Sequence, residues 1–155
     1  MDIYLNIALR LSLALLVGMI LGLNRWLHHK SAGIRTHSLV AIGAATSVLL
    51  IGDFVKDDAQ SVSRVIQGLI TGLGFLGAGV IIRERSSQRI HGLTTAASLW
   101  ACAILGAAFG AGQFVLGGMA VFAILFTLVI GGPLETAVSK ALGIKRESEI
   151  SADPD

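Results

Sequence analysis

The chain has 155 residues, of which 54% are hydrophobic and only 14% charged, with 19 glycines, a formal net charge of +2 and a mean hydropathy of +0.76. That is one domain's worth of chain and too apolar for a water-soluble one, which sets aside soluble enzymes and basic nucleic-acid binders. No Asp, Glu, Lys or Arg occurs in the 45 residues between Arg89 and Glu135, enough for two membrane crossings.

Five apolar segments follow in chain order: about Ile3 to Leu23, His37 to Val55, Val65 to Ile82, Gly92 to Gly112, and Phe114 to Gly132. Each is near the length a helix needs to cross ~30 Å of hydrocarbon at ~1.5 Å per residue. The first begins Met1-Asp2 without a basic leader or a small-residue cleavage site, and reads as a retained span. The second is the weakest, because Asp53 lies near its end. Gly110-Ala111-Gly112-Gln113 reads as a tight turn between the fourth and fifth spans, and Gly131-Gly132-Pro133 as the stop of the fifth. The single Cys102 lies inside the fourth span and reads as a small packing residue. The fold expected is all-α: a polytopic membrane protein built as a compact bundle of about five transmembrane helices over residues 1–135, with a short cytoplasmic tail over 136–155.

Charge placement sets an orientation. Arg25, Lys30 and Arg35 follow the first span, Arg83, Arg85 and Arg89 the third, and Lys140, Lys145 and Arg146 the fifth, so nine of the 12 basic residues share one face. The opposite face carries Lys56 and Arg64 beside Asp2, Asp53, Asp57 and Asp58. The positive-inside rule then puts the N-terminus outside and the C-terminus in the cytoplasm.

The stretch GLGFLGAG, Gly72 to Gly79, holds Gly72, Gly74 and Gly77 in the spacing of a dinucleotide-binding turn. Such a turn needs a preceding strand and an acidic residue roughly 20 positions on. Here the pattern before it is helical and Thr94 to Leu99 contains no carboxylate, so no cofactor is expected. Small residues instead let membrane helices approach closely. Gly68, Gly72 and Gly79 share one helical face while Gly74 and Gly77 point elsewhere, which makes the third span the expected centre of the bundle. Gly18-x-x-x-Gly22 and Gly106-x-x-x-Gly110 repeat the device on the first and fourth spans, and a glycine face can also serve a homodimer.

Polar residues gather at the cytoplasmic helix ends: Asn24, Arg25, Arg35, Thr36, Arg83, Glu84, Arg85, Thr94 and Thr95. In a compact bundle these can converge, and the exposed amides at the starts of the second and fourth helices add positive potential for an anion or phosphate. The alternative is that the arginines anchor the helices to anionic headgroups of the bilayer. His28, His29, His37 and His91 fall on the same face without carboxylate or Cys in ligand spacing, so they read as interfacial and no metal is expected. Arg10 is the one deep charge and is expected to snorkel outward. Thr46, Ser47, Thr71, Ser98 and Thr127 are the midplane hydroxyls that a small transporter or channel would use. No nucleophile with its base is present, so no catalytic residues are expected.

Four blocks in order resemble the MgtC/SapB family of bacterial inner-membrane proteins: Gly22-Leu23-Asn24-Arg25; Ala32-Gly33-Ile34-Arg35-Thr36-His37-Ser38-Leu39-Val40; Gly72-Leu73-Gly74-Phe75-Leu76-Gly77-Ala78-Gly79-Val80-Ile81; and Gly92-Leu93-Thr94-Thr95-Ala96-Ala97-Ser98-Leu99-Trp100. The resemblance implies about five membrane helices, a multi-pass place in the bacterial inner membrane, and a role in adaptation to low magnesium, and in some members virulence, without an enzymatic reaction. It implies modulation of another membrane protein, the alternative being a small transporter or channel. Larger members carry a cytoplasmic C-terminal domain, which a chain of this length is expected to lack. Asn24, Ser61 and Thr94 stand where the family usually or often has Glu, Asp and Asn.

The orientation is open to a direct check. With Cys102→Ala as background, Ala59→Cys should react with an impermeant maleimide in intact cells and Ser87→Cys should not; the reverse pattern would invert the topology.

Overall fold

The computed structural model describes residues 2–54, 59–83 and 90–143. They form α1 (Ile3–Leu27), α2 (Ile34–Phe54), α3 (Ala59–Val80), β1 (Ile82–Arg83), β2 (Ile90–His91), α4 (Leu93–Gly110) and α5 (Phe114–Ala141). All five helices are long and apolar enough to cross a membrane. The chain divides into two compact units, Met1–Val121 and Phe122–Asp155.

In the first unit α2 packs against α1 and α4, and α1 and α4 also touch. The reason is a stripe of α2. Ile34, Ser38, Ala41 and Ala45 follow one another at spacings of four, three and four residues and so share one helical face. The glycine pair of α1 lies on the first half of this stripe: a Cβ on Gly18 would come 2.6 Å from Ser38 Cα, and one on Gly22 2.5 Å from Ile34 Cα. The glycine pair of α4 lies on the second half, where a Cβ on Gly106 or Gly110 would come 2.8 Å from Ala41 Cα or Ala45 Cα respectively. Real Cβ atoms do not fit at such distances, so backbone meets backbone at all four points. Gly18, Gly22, Gly106 and Gly110 are thus points of close helix approach, with dispersion in place of a hydrophobic driving force.

The third span is not the centre. Among the described residues a Cβ on Gly68, Gly72, Gly74 or Gly79 would meet open space, and one on Gly77 makes only an ordinary 3.5 Å contact with Ala96. What α3 presents to the core is Val65, Leu69 and Leu73, seated on Ala44, Val48, Ala103 and Ala107 of α2 and α4. Close approach needs small residues at one crossing on both helices, and the small stripe of α2 is already taken. Its neighbouring alanines receive the large side chains of α3 instead. An apolar groove of about 630 Å³ runs between α2 and α3, with Gly43, Ser47, Gly68 and Gly72 in its walls.

Two linkers are closed by the same device. After α4, Gly112 is left-handed (φ 77°), Gln113 N–H reaches Ala108 O at 2.9 Å and Gly112 N–H reaches Phe109 O at 2.9 Å. This is a Schellman closure, and the tight turn expected at Gly110 to Gln113 is present. After α1 the same pair runs from Lys30 N–H to Arg25 O and from His29 N–H to Trp26 O, with His29 itself left-handed (φ 53°). Between α3 and α4, β1 and β2 form a two-residue antiparallel ladder pairing Ile82 with His91 and Arg83 with Ile90. Gly72, Gly74 and Gly77 lie within continuous α3, so the dinucleotide turn is excluded by its conformation.

In the second unit α5 continues to Ala141 through Pro133, past the stop expected at Gly131-Gly132-Pro133. Proline removes one amide donor from a helix, whereas a break would leave several backbone groups unpaired in an apolar setting, so continuation is the cheaper outcome. Phe122 and Phe126, one turn apart, stack tilted at 6.4 Å between ring centroids.

Gly22→Leu and Gly106→Leu should each destabilise the protein by about 1–3 kcal/mol or more, while Gly72→Leu stays within about 0.5 kcal/mol of wild type. Unfolding in detergent measures all three; equal losses would contradict the central place of α2.

Candidate functional site

The inner faces of α1, α2 and α4 carry polar side chains at one end of their packing. On α1, Ala14, Gly18, Leu21 and Arg25 form one buried stripe, so helical periodicity turns Arg25 inward and leaves it 5% exposed. Its Nη2 donates to Thr95 Oγ1 at 3.1 Å, in the first turn of α4. Thr95 is 1% exposed. A charged donor to a hydroxyl is stronger than a neutral pair, and the more so away from water. Among the described residues no carboxylate pairs with Arg25, and its Nε is buried without a partner. Asn24 Oδ1 and Ser38 Oγ are buried and unpartnered as well.

A second group adjoins the first. His37 is 0% exposed, its Nδ1–H donates to Gly33 O at 3.0 Å, and its Nε2 lies 3.1 Å from Ser98 Oγ. The Ser98 hydroxyl also lies 2.8 Å from Thr95 O, so with a neutral ring one proton faces two acceptors. A second proton on His37 would let Nε2 donate to Ser98 while Ser98 donates to Thr95. Cys102 Sγ–H donates to His37 O at 3.2 Å, so the buried thiol packs as expected and closes the far side of the cluster. Backbone and side chains thus connect α2 to α4, and Thr95 joins both to α1.

Start and end of α4 differ. Its N-cap is Gly92 in the left-handed region (φ 94°), with no side-chain cap. A Cβ there would run into Val80 O, so glycine is required where the end of α3 meets the start of α4. At the other end Arg10 Nη1 donates to Gly110 O at 2.9 Å. Arg10 thereby satisfies a terminal carbonyl of α4 and meets the negative end of that helix's dipole.

Of the residues expected to converge, the structure brings Arg25 and Thr95 together and leaves Asn24 half-buried with no hydrogen bond to either. Arg35 and Thr94 are exposed and Thr36 is half-buried. Only the backbone of Arg83 is described, and Glu84 and Arg85 lie outside the described residues. His37 and Ser98 were missed as members of the cluster. A signal for them exists: His37, Ala41, Ala44 and Val48 continue one helical stripe, as do Thr95, Ser98, Cys102 and Gly106, so each polar residue prolongs a line of small or apolar core residues. His28 stays exposed, its Nδ1–H on Asn24 O at 2.7 Å. Among the described residues no group of three or more His, Cys, Asp or Glu could hold a metal.

Thr95→Val removes the acceptor of a buried guanidinium and should cost about 1.5–3 kcal/mol, whereas Thr94→Val at the exposed neighbour should stay within about 0.5 kcal/mol. Unfolding in detergent separates the two, and similar values would argue against the Arg25–Thr95 bond.

Comparison with known proteins follows the same residues. Protein SrpB of Synechococcus elongatus is 43% identical over 135 residues, covering 81% of this chain and 74% of that protein. Protein MgtC of Brucella abortus is 44% identical over 99 residues, 64% of this chain and 40% of that protein. Protein MgtC of Salmonella typhimurium is 42% identical over 106 residues, 68% of this chain and 44% of that protein. The chain thus spans less than half the length of these MgtC relatives. No solved structure matches. The model of the MgtC family matches residues 11–137, a stretch that holds all four arms of the Arg25–Thr95–Ser98–His37 cluster. With five helices fit to cross a membrane, this is a multi-pass membrane protein that belongs to the MgtC family.

Proposed function

We propose that the chain is a non-enzymatic bacterial inner-membrane protein that supports adaptation to low magnesium, ion homeostasis or virulence by modulating a membrane partner, with its N-terminus outside and its C-terminus in the cytoplasm. Membership of the MgtC family supports this, and so does the charge bias along the chain. On this reading residues 1–135 are the membrane domain and 136–155 a cytoplasmic tail.

The observation that carries the reading is the cluster around Arg25. It ties three helices together at one end through contacts among the buried side chains of Arg25, Thr95, Ser98 and His37, as a fixed structural device does. A conduit for an ion would instead line a path with free polar groups at midplane. Of the midplane hydroxyls, Ser47 bonds Gly43 O at 2.8 Å, Thr71 bonds Gln67 O at 2.8 Å and Thr127 bonds Ala123 O at 2.9 Å, each on its own helix. Ser98 is 3% exposed and belongs to the His37 group. The groove between α2 and α3, walled by Gly43, Gly68 and Gly72, is where small residues would admit a helix of a partner.

The test is complementation of a gene deletion at limiting magnesium, at equal membrane abundance. Arg25→Ala should lose function, and exposed Arg35→Lys should keep it. Proteoliposomes of the purified protein should show no magnesium or potassium flux above empty vesicles. Robust flux would favour the transporter alternative, and growth unaffected by the deletion would remove the magnesium role.

A further inference from the structure

α5 changes its pattern along its length. From Phe114 to Gly132 it carries no charged residue, over ~28 Å at ~1.5 Å per residue, close to the ~30 Å of a hydrocarbon core. Beyond Pro133 it becomes one-sided. Leu134, Ala137, Val138, Ala141 and Leu142 recur at i, i+3, i+4, i+7 and i+8, which is a single apolar face, while Glu135, Thr136, Ser139 and Lys140 take the other. Leu134, Val138 and Leu142 are exposed. Leu142 N–H still reaches Val138 O at 3.0 Å, and Gly143 is left-handed (φ 65°), so the stripe runs to the very end of the helix.

We propose that this stripe docks residues 134–142 on the headgroup layer of an anionic bilayer. Position is the first reason. The 28 residues of α5 extend ~42 Å, about the full ~40–45 Å of a bilayer with its headgroups, so the turns after Pro133 stand in the headgroup layer, joined to the span that fixes them there. An apolar face at that depth meets the acyl boundary, and a polar face meets headgroups and water. Charge is the second reason. Lys140 is followed by Lys145 and Arg146, with no acidic residue between Glu135 and Glu147. An anionic surface attracts such a group, whereas a second copy of the chain would bring charges of the same sign. The helix is also built to bend here: Pro133 withholds an amide from Val129 O, and Thr136 Oγ1 donates to Gly132 O at 3.0 Å, so the final turns can lean their stripe onto the boundary. Docking of these turns is independent of the Arg25 cluster and of the magnesium role, and each can fail without the other.

The full chain with Cys102→Ala carries an environment-sensitive NBD probe at Val138→Cys, on the stripe, or at Ser139→Cys, on the polar side, and is reconstituted in phosphatidylcholine vesicles with and without phosphatidylglycerol. With phosphatidylglycerol, nitroxide-labelled lipids should quench the Val138→Cys probe and aqueous iodide the Ser139→Cys probe. Lys140→Gln should lower the ratio of docked to undocked Val138→Cys probe about fivefold in those vesicles, as for one basic residue at an anionic surface, and leave it unchanged in phosphatidylcholine alone. Both labelled proteins should unfold at the temperature of the unlabelled chain, which guards against a distorted variant. Equal iodide quenching at the two positions would put the stripe in water and overturn docking. Shielding of the Val138→Cys probe that disappears as the protein is diluted in lipid would assign a second copy instead. Docking equally strong without phosphatidylglycerol would overturn the anionic preference.

Discussion

Backbone contact along one stripe of α2 is the constraint on which the remaining structure depends. Ile34, Ser38, Ala41 and Ala45 take the glycine pair of α1 on one half and that of α4 on the other, with no room for a Cβ at any of the four glycines. Two consequences follow from the separation this imposes. His37 and Cys102 come within hydrogen-bonding distance across α2 and α4, and Arg25 comes within 3.1 Å of Thr95 across α1 and α4. N–H···O hydrogen bonds run to ~3.2 Å, so helices spread by even one extra methyl group would lose the Arg25–Thr95 bond. The glycines are thus part of the polar site although none of their atoms takes part in its chemistry.

A second constraint is the polarity of α4. It is the most buried of the spans, and its two ends carry opposite partial charges inside a medium that screens them poorly. Arg10 answers one of them with a bond to Gly110 O. At the other end Arg25 bonds the Thr95 hydroxyl and lies in the last turn of α1, where the negative end of that helix favours a cation.

Much of the architecture was legible in the chain. Five spans, the Gly112 turn and the helical state of the GLGFLGAG stretch follow from hydropathy, turn chemistry and context, because in a membrane each span must satisfy its own backbone and so behaves as an independent unit. The pairing of Gly18 with Gly22 and of Gly106 with Gly110 as contact points was legible for the same reason: spacing on one helix is a local property. The end of α5 was misjudged because a proline rule suited to water understates what a break costs in hydrocarbon.

What tertiary structure decided is which helices those local faces meet. Every span offered small residues, and sequence density of glycine pointed to α3, yet it is one stripe of α2 that the glycine pairs of α1 and α4 both meet. The site depended on the same choice. Arg35 and Arg25 are equivalent by position along the chain, both basic and both at a helix end, but Arg25 lies on the line of Gly18 and Leu21 and is carried inside, while Arg35 stays exposed. Sequence alone determined that these residues stand at one end of the spans, since charge and hydropathy act residue by residue. Which of them share a buried volume is a property of pairs of helices, and only their packing could determine it.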